Sequence, residues 1–192
     1  MKKFFVSLTI AVTFTFLFGV NEKFVNAAER QPAIYDYNAE NLISRLVEEA
    51  KRLNGKFFGK SYFTHTDGYK YCVMYFGNDK NIYVGFQLNY DYTVIRTYVV
   101  AEDKQADNLV NSRLGVLTGL LMISLGLNSN DATELLSQAT DYINYASKNH
   151  YDFSKISKTF YKYCSSINKN VYLEMESAND GKGFSMELGV TD

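Results

Sequence analysis

Tryptophan is absent from this chain of 192 residues, proline occurs once, and cysteine and histidine occur twice each. Two cysteines are too few for a disulfide-built miniprotein. Neither stands in a Cys-x-x-Cys pair, which excludes the usual dithiol redox and zinc motifs. An excess of one charge is missing too: 20 Lys plus Arg face 21 Asp plus Glu, a formal net charge of −1. That balance excludes a general nucleic-acid binder, which carries a basic surplus. Also absent are the HExxH and GxSxG motifs, a Gly-rich phosphate cradle, the spaced carboxylates of an EF-hand, and any His/Cys cluster with metal-ligand spacing. No metal and no cofactor is therefore expected. What is present is 46% apolar residue, enough to bury the core of one domain and too much for a disordered chain.

The first segment reads as an address. Lys2 and Lys3 precede an uncharged run of 17 residues, Phe4 to Val20. Val25 and Ala27 then supply small residues three and one positions before a cut. This pattern predicts a secretory signal peptide over residues 1–27, cleaved after Ala27, in a style common in bacteria. The run is near the shortest spanning helix, so an uncleaved anchor is the alternative; the small-residue site favours cleavage. No cysteine lies near the cut to take a lipid. The richest later stretch, Leu114 to Leu127, holds Thr118, Ser124 and three glycines and is too short to span comfortably. The expected product is one secreted or periplasmic domain, residues 28–192, with no stable membrane insertion. Losing Lys2, Lys3, Lys23 and Glu22 takes its formal charge to −3.

Hydrophobic spacing then sets the elements. Residues 28–37 hold the only proline and read as a leader. Leu42, Ile43, Leu46, Val47, Ala50 and Leu53 recur at helical spacing, with Asn38 as N-cap and Gly55 at the left-handed C-terminal position. Four strand-like runs follow, Phe57–His65, Tyr69–Phe76, Asn81–Leu88 and Thr93–Val100. They are separated by the turn signals Asp67-Gly68, Gly77-Asn78-Asp79 and Asn89-Tyr90-Asp91. Short connections make them sequential and antiparallel. A second helix, apolar nearly all round and so buried, runs from about Asp107 to Leu125. A third, capped by Ser129 or Asn130, runs to about Lys148. Thr159–Cys164, Asn170–Glu176 and Gly183–Val190 complete the strands, with Asn179-Asp180-Gly181 as the last turn. The fold class is α+β: an antiparallel sheet packed against three helices.

An internal echo accompanies this order. Tyr69-Lys70-Tyr71-Cys72 recurs as Tyr161-Lys162-Tyr163-Cys164, and Lys80-Asn81-Ile82-Tyr83-Val84 recurs as Lys169-Asn170-Val171-Tyr172-Leu173. The offsets are 92 and 89 residues, which admits two helix-plus-meander halves. Cys72 and Cys164 stand at matching places in the echo, and an oxidising compartment lets a disulfide persist; a bridge between them is expected. The alternative is two buried thiols acting as small apolar side chains.

Candidate chemistry is sparse. His65 and Asp67 share a hairpin, and an imidazole oriented by a carboxylate can do general acid–base work. An exposed turn histidine is far commoner, so a small extracytoplasmic hydrolase using His65 and nearby acids is the second reading. The unusual feature is tyrosine: 16 residues, none of them in residues 1–27. Tyr83 alternates with Ile82 and Val84, and Tyr172 with Val171 and Leu173, so both point away from the core those residues face. Tyr71 and Tyr163 stand in the other echoed block. Tyrosine offers large contact area, a polar tip and few rotamers to freeze, which suits recognition; it also simply suits strands. The favoured reading is a non-catalytic exported module that presents Tyr71, Tyr83, Tyr163 and Tyr172 to a protein or glycan. A secreted inhibitor or immunity-type protein is a third reading, differing in its target.

Overall fold

The computed structural model describes residues 29–77, 82–101, 113–178 and 183–191. The signal peptide with its cut after Ala27, the helix start at Asp107, and the turn residues Asn78-Asp79 and Asn179-Asp180-Gly181 lie outside them.

Asn38 opens the first helix, α1 (Ala39–Arg52), by accepting a bond from the Glu40 backbone N–H at 2.8 Å. Glu40 sits at the positive end of the helix dipole, Lys51 and Arg52 at the negative end. Leu42, Ile43, Leu46 and Ala50 form the buried stripe. The left-handed residue after the helix is Asn54, at φ 57°, and not Gly55. Asparagine tolerates that conformation. Gly55 serves packing: a Cβ there would come within 2.7 Å of the Phe76 ring.

The other two helices are α2 (Arg113–Leu125) and α3 (Ser129–Lys148). In α2, Leu117, Leu121 and Met122 are fully buried. Its hydroxyls turn back onto their own helix, Thr118 to the Leu114 carbonyl and Ser124 to the Leu120 carbonyl, both at 2.7 Å. Gly126, at φ 99°, ends it. Asn128 caps α3 through the Asp131 N–H at 2.8 Å, one residue before the expected cap.

Eight strands make one antiparallel sheet: β1 (Tyr35–Asn38), β2 (Phe57–Thr64), β3 (Lys70–Phe76), β4 (Ile82–Leu88), β5 (Thr93–Ala101), β6 (Ser157–Cys164), β7 (Lys169–Ala178) and β8 (Gly183–Thr191). The order is β2-β3-β4-β5-β8-β7-β6, so β5 and β8 meet at the seam between two meanders. Residues expected as a leader are ordered structure instead. The four-residue β1 pairs with β5 at Tyr35 and Val94, beyond the stretch of β5 that pairs with β8. The arm before it is tied down as well. Gln31 and Asn89 exchange two bonds of 2.9 Å, and Arg30 pairs with Asp91 at 3.2 Å.

Cys72, Met74, Ile82, Val84, Phe86, Val99, Ala101, Met186, Leu188, Val171, Leu173 and Met175 line one face of the sheet and merge with the apolar stripes of all three helices into one core. The helix α2 lies centrally in it, against α1, α3, β5 and β8.

The bridge expected between Cys72 and Cys164 does not form; both thiols are free and buried. Cys72 lies on β3 and Cys164 on β6, five strand spacings apart, about 24 Å. A disulfide needs Cα atoms within about 7 Å. The two meanders put the cysteines on opposite sides of the seam. Burial pushes each thiol up to about 11, so each behaves as a small apolar side chain.

The two echoes fare differently in the register. A shift of 89 residues carries the pairs Tyr83–Val100, Gly85–Tyr98 and Gln87–Arg96 onto Tyr172–Gly189, Glu174–Glu187 and Glu176–Ser185. From Ile82 on, the second echo is therefore in register. The Tyr-Lys-Tyr-Cys echo is not. Cys72 faces Phe86, whose counterpart Met175 faces Lys158, while Cys164 faces Lys169.

Candidate functional site

The pairing that buries one face of the sheet also assembles the other. Cross-strand partners share a face. Tyr71 faces Gln87, which faces Arg96; Tyr75 faces Tyr83, which faces Val100. Across the seam Tyr98 faces Glu187, Glu187 faces Glu174, and Tyr172 faces both Gly189 and Tyr161. Tyr163 faces Asn170. Tyr71, Tyr83, Tyr163 and Tyr172 thus lie on one face, together with Tyr75, Tyr98 and Tyr161. Among the described residues no helix packs on that face.

Its two sides differ. On β3, β4 and β5 the rings pack upon the sheet itself. Val73, Tyr83 and Val100 form a small second cluster with Phe63 and Tyr75 against it. Tyr83 is only 8% exposed and Tyr75 meets it edge-on at 6.1 Å. Tyr98 lies across Gly85, where a Cβ would run into its ring edge. Tyr71 stacks on Phe63 at 5.5 Å and donates its hydroxyl to Asp67 at 2.8 Å. Burial, and then the Asp67 bond, push the Tyr71 phenol well up, so it stays a donor.

On β8, β7 and β6 the face opens. Tyr161 is 63% exposed and Tyr163 55%. The Tyr163 hydroxyl donates to Asn168 Oδ1 at 2.6 Å, which fixes its ring. Tyr172 leans over Gly189 and donates to Glu187 Oε1 at 2.7 Å. The same oxygen takes Arg96 Nη1 at 3.1 Å. Burial opposes the Arg96 charge, but the Glu187 carboxylate together with the Tyr172 and Tyr71 hydroxyls outweighs that and raises its pKa. The Tyr172 phenol is pushed well up by burial and then by Glu187. Glu174 is raised by burial and then by its neighbours Glu176 and Glu187.

His65 and Asp67 do come together, with Nδ1 3.4 Å from Asp67 Oδ2. The carboxylate already has work in the turn: it accepts the Tyr69 N–H at 2.9 Å and the Tyr71 hydroxyl. Cys72, which a Cys–His arrangement would need, is buried on the opposite face of the sheet. Among the described residues no group of His, Cys, Asp and Glu could hold a metal ion, and no helix is long and apolar enough to cross a membrane.

Arg96, Tyr98, Tyr161, Glu174, Glu176 and Glu187 were not singled out from sequence. Alternation places each on the face away from its apolar neighbours. What was missing was the strand order, which alone brings Arg96 to Glu187. Comparison of the chain with protein-family models, with curated proteins and with solved structures finds no match in any of the three.

Proposed function

We propose that the chain is an exported, non-catalytic binding module that presents the tyrosine-bearing face of its sheet to a protein or glycan partner. One observation carries this: the register gathers seven tyrosines on a face that no described helix covers, and two of them, Tyr161 and Tyr163, are more than half exposed. Burying such rings against a partner supplies contact area at low entropic cost. Export rests on Lys2, Lys3, the apolar run and the small residues before Ala28. The second echo, in register from Ile82 on, supports two helix-plus-meander halves joined at the β5–β8 seam.

The test is a display of immobilised oligosaccharides and peptides probed with the protein and with its Tyr161→Ser/Tyr163→Ser variant. Capture of a ligand by the first and not by the second, at equal melting temperature, supports the reading; equal capture by both removes it. The mass of the exported protein should match a chain beginning at Ala28. Hydrolysis is favoured by the His65–Asp67 contact alone, and His65→Ala should then abolish an activity on ester or peptide substrates.

A further inference from the structure

The open side of the face is charged in one sense only. Its side chains on β6, β7 and β8 include Glu174, Glu176 and Glu187 and, among the described residues, no lysine or arginine. The lysines of β6 point to the other face, where Lys162 is held by Glu134 at 2.6 Å and Asp131 at 3.4 Å. Glu187 is matched by Arg96 and Tyr172. Glu174 stands directly opposite Glu187, and Glu176 lies two residues along the same strand. Neither side chain forms a hydrogen bond or ion pair with a described residue; Arg96 reaches Glu174 only as a more distant charge. Like charges opposed across a strand pair weaken the sheet. Here the repulsion sits beside Tyr161 and Tyr172, whose rings can take a cation on their faces.

Taking the face to be a binding site, as proposed above, we infer that its occupant is an extended cationic segment of a protein. In that segment Lys or Arg at alternate positions meets Glu174 and Glu176, and the next side chain on the same side lies on Tyr172 and Tyr161. The spacing fits. Residues two apart on a strand are about 7 Å apart, both for the two glutamates and for alternate side chains of an extended peptide. A neutral sugar would leave Glu174 and Glu176 without an ion pair, and an anionic glycan would add to the repulsion. A positively charged segment removes it and is drawn in by the field of the acidic face.

The probe is a short fluorescent peptide alternating Lys and Thr, with a Gln-for-Lys counterpart, titrated with the protein at low and high salt. Binding of the Lys peptide alone is expected, weakening with salt. A loss of about tenfold or more is expected in Glu174→Gln/Glu176→Gln, which keeps the side-chain shape. Unchanged affinity in that variant, or no binding of the Lys peptide at low salt, overturns the inference. Neutral oligosaccharides run beside it separate two failures. If one binds and depends on Tyr161 and Tyr163 while the Lys peptide does not bind, the cationic occupant is wrong and the face is still a binding site. If neither binds, both readings fall.

Discussion

Replacing Glu174 by Gln should stabilise the protein, and the sign follows from the sheet register. The glutamate stands opposite Glu187 and two residues from Glu176; the Arg96 charge opposes their effect on it but does not outweigh it. Opposed like charges cost about 0.2–1 kcal/mol in a strand pair. Glu174 is half-exposed, and water screens it, so about 0.5 kcal/mol is the reasonable share. In a chain of this size that raises the melting midpoint by about 1–2 °C. The pH dependence is the sharper check. Burial and the two neighbouring carboxylates raise the folded-state pKa of Glu174 above its ordinary 4.5. The folded chain thus binds this proton more readily than the unfolded chain, and stability falls as pH rises through that window. The variant's advantage is full at neutral pH and disappears below the ordinary pKa, by about pH 4. Glu187→Gln should do the opposite at neutral pH. Arg96 Nε is already buried without a hydrogen-bond partner, and the guanidinium would lose its one carboxylate, costing roughly 0.5–1 kcal/mol. Thermal melts followed by circular dichroism at both pH values read all three quantities. A Glu174→Gln variant that melts lower than the parent at neutral pH, or keeps its advantage in acid, would refute the electrostatic reading of this face.

Three further outcomes follow from packing. Gly85→Ala drives a Cβ into the Tyr98 ring and should cost about 1–3 kcal/mol, read as a lower denaturation midpoint. Gly119→Ala has Leu136 Cδ1 at 3.5 Å as its nearest neighbour and sits within a helix, so a gain of about 0.5–1 kcal/mol is expected in the same titration. Cys72 and Cys164 should ignore a thiol reagent in the native protein and react fully after denaturation. Reductant should change neither the mass nor the melting temperature.

The part of this fold that can be read from the chain is the part built locally. Asn38 caps a helix because its side chain reaches two residues on. The strands β2 to β5 pair in sequence because their connections are too short to do otherwise. Which way Tyr83 or Tyr172 points follows from alternation alone. None of this says which strands stand side by side across the seam. Arg96 and Glu187 are 91 residues apart, and they meet only because β8 returns to lie along β5. The same gap produced the expected disulfide: likeness of sequence was read as nearness, whereas the two cysteines belong to different meanders, on opposite sides of the seam and out of register. The strand β1 escaped for a different reason. Its four residues pair at one end of β5 and show no full period of alternation. The burial of Tyr83 has a third cause. Val73 and Tyr75 come from β3 and Val100 from β5, on either side of the strand that carries Tyr83, and only the assembled register shows that they enclose one ring while Tyr161 and Tyr163 stay open. A recognition face is made by juxtaposition across strands. Composition can therefore announce an excess of tyrosine, while the choice of which rings meet a partner belongs to the topology.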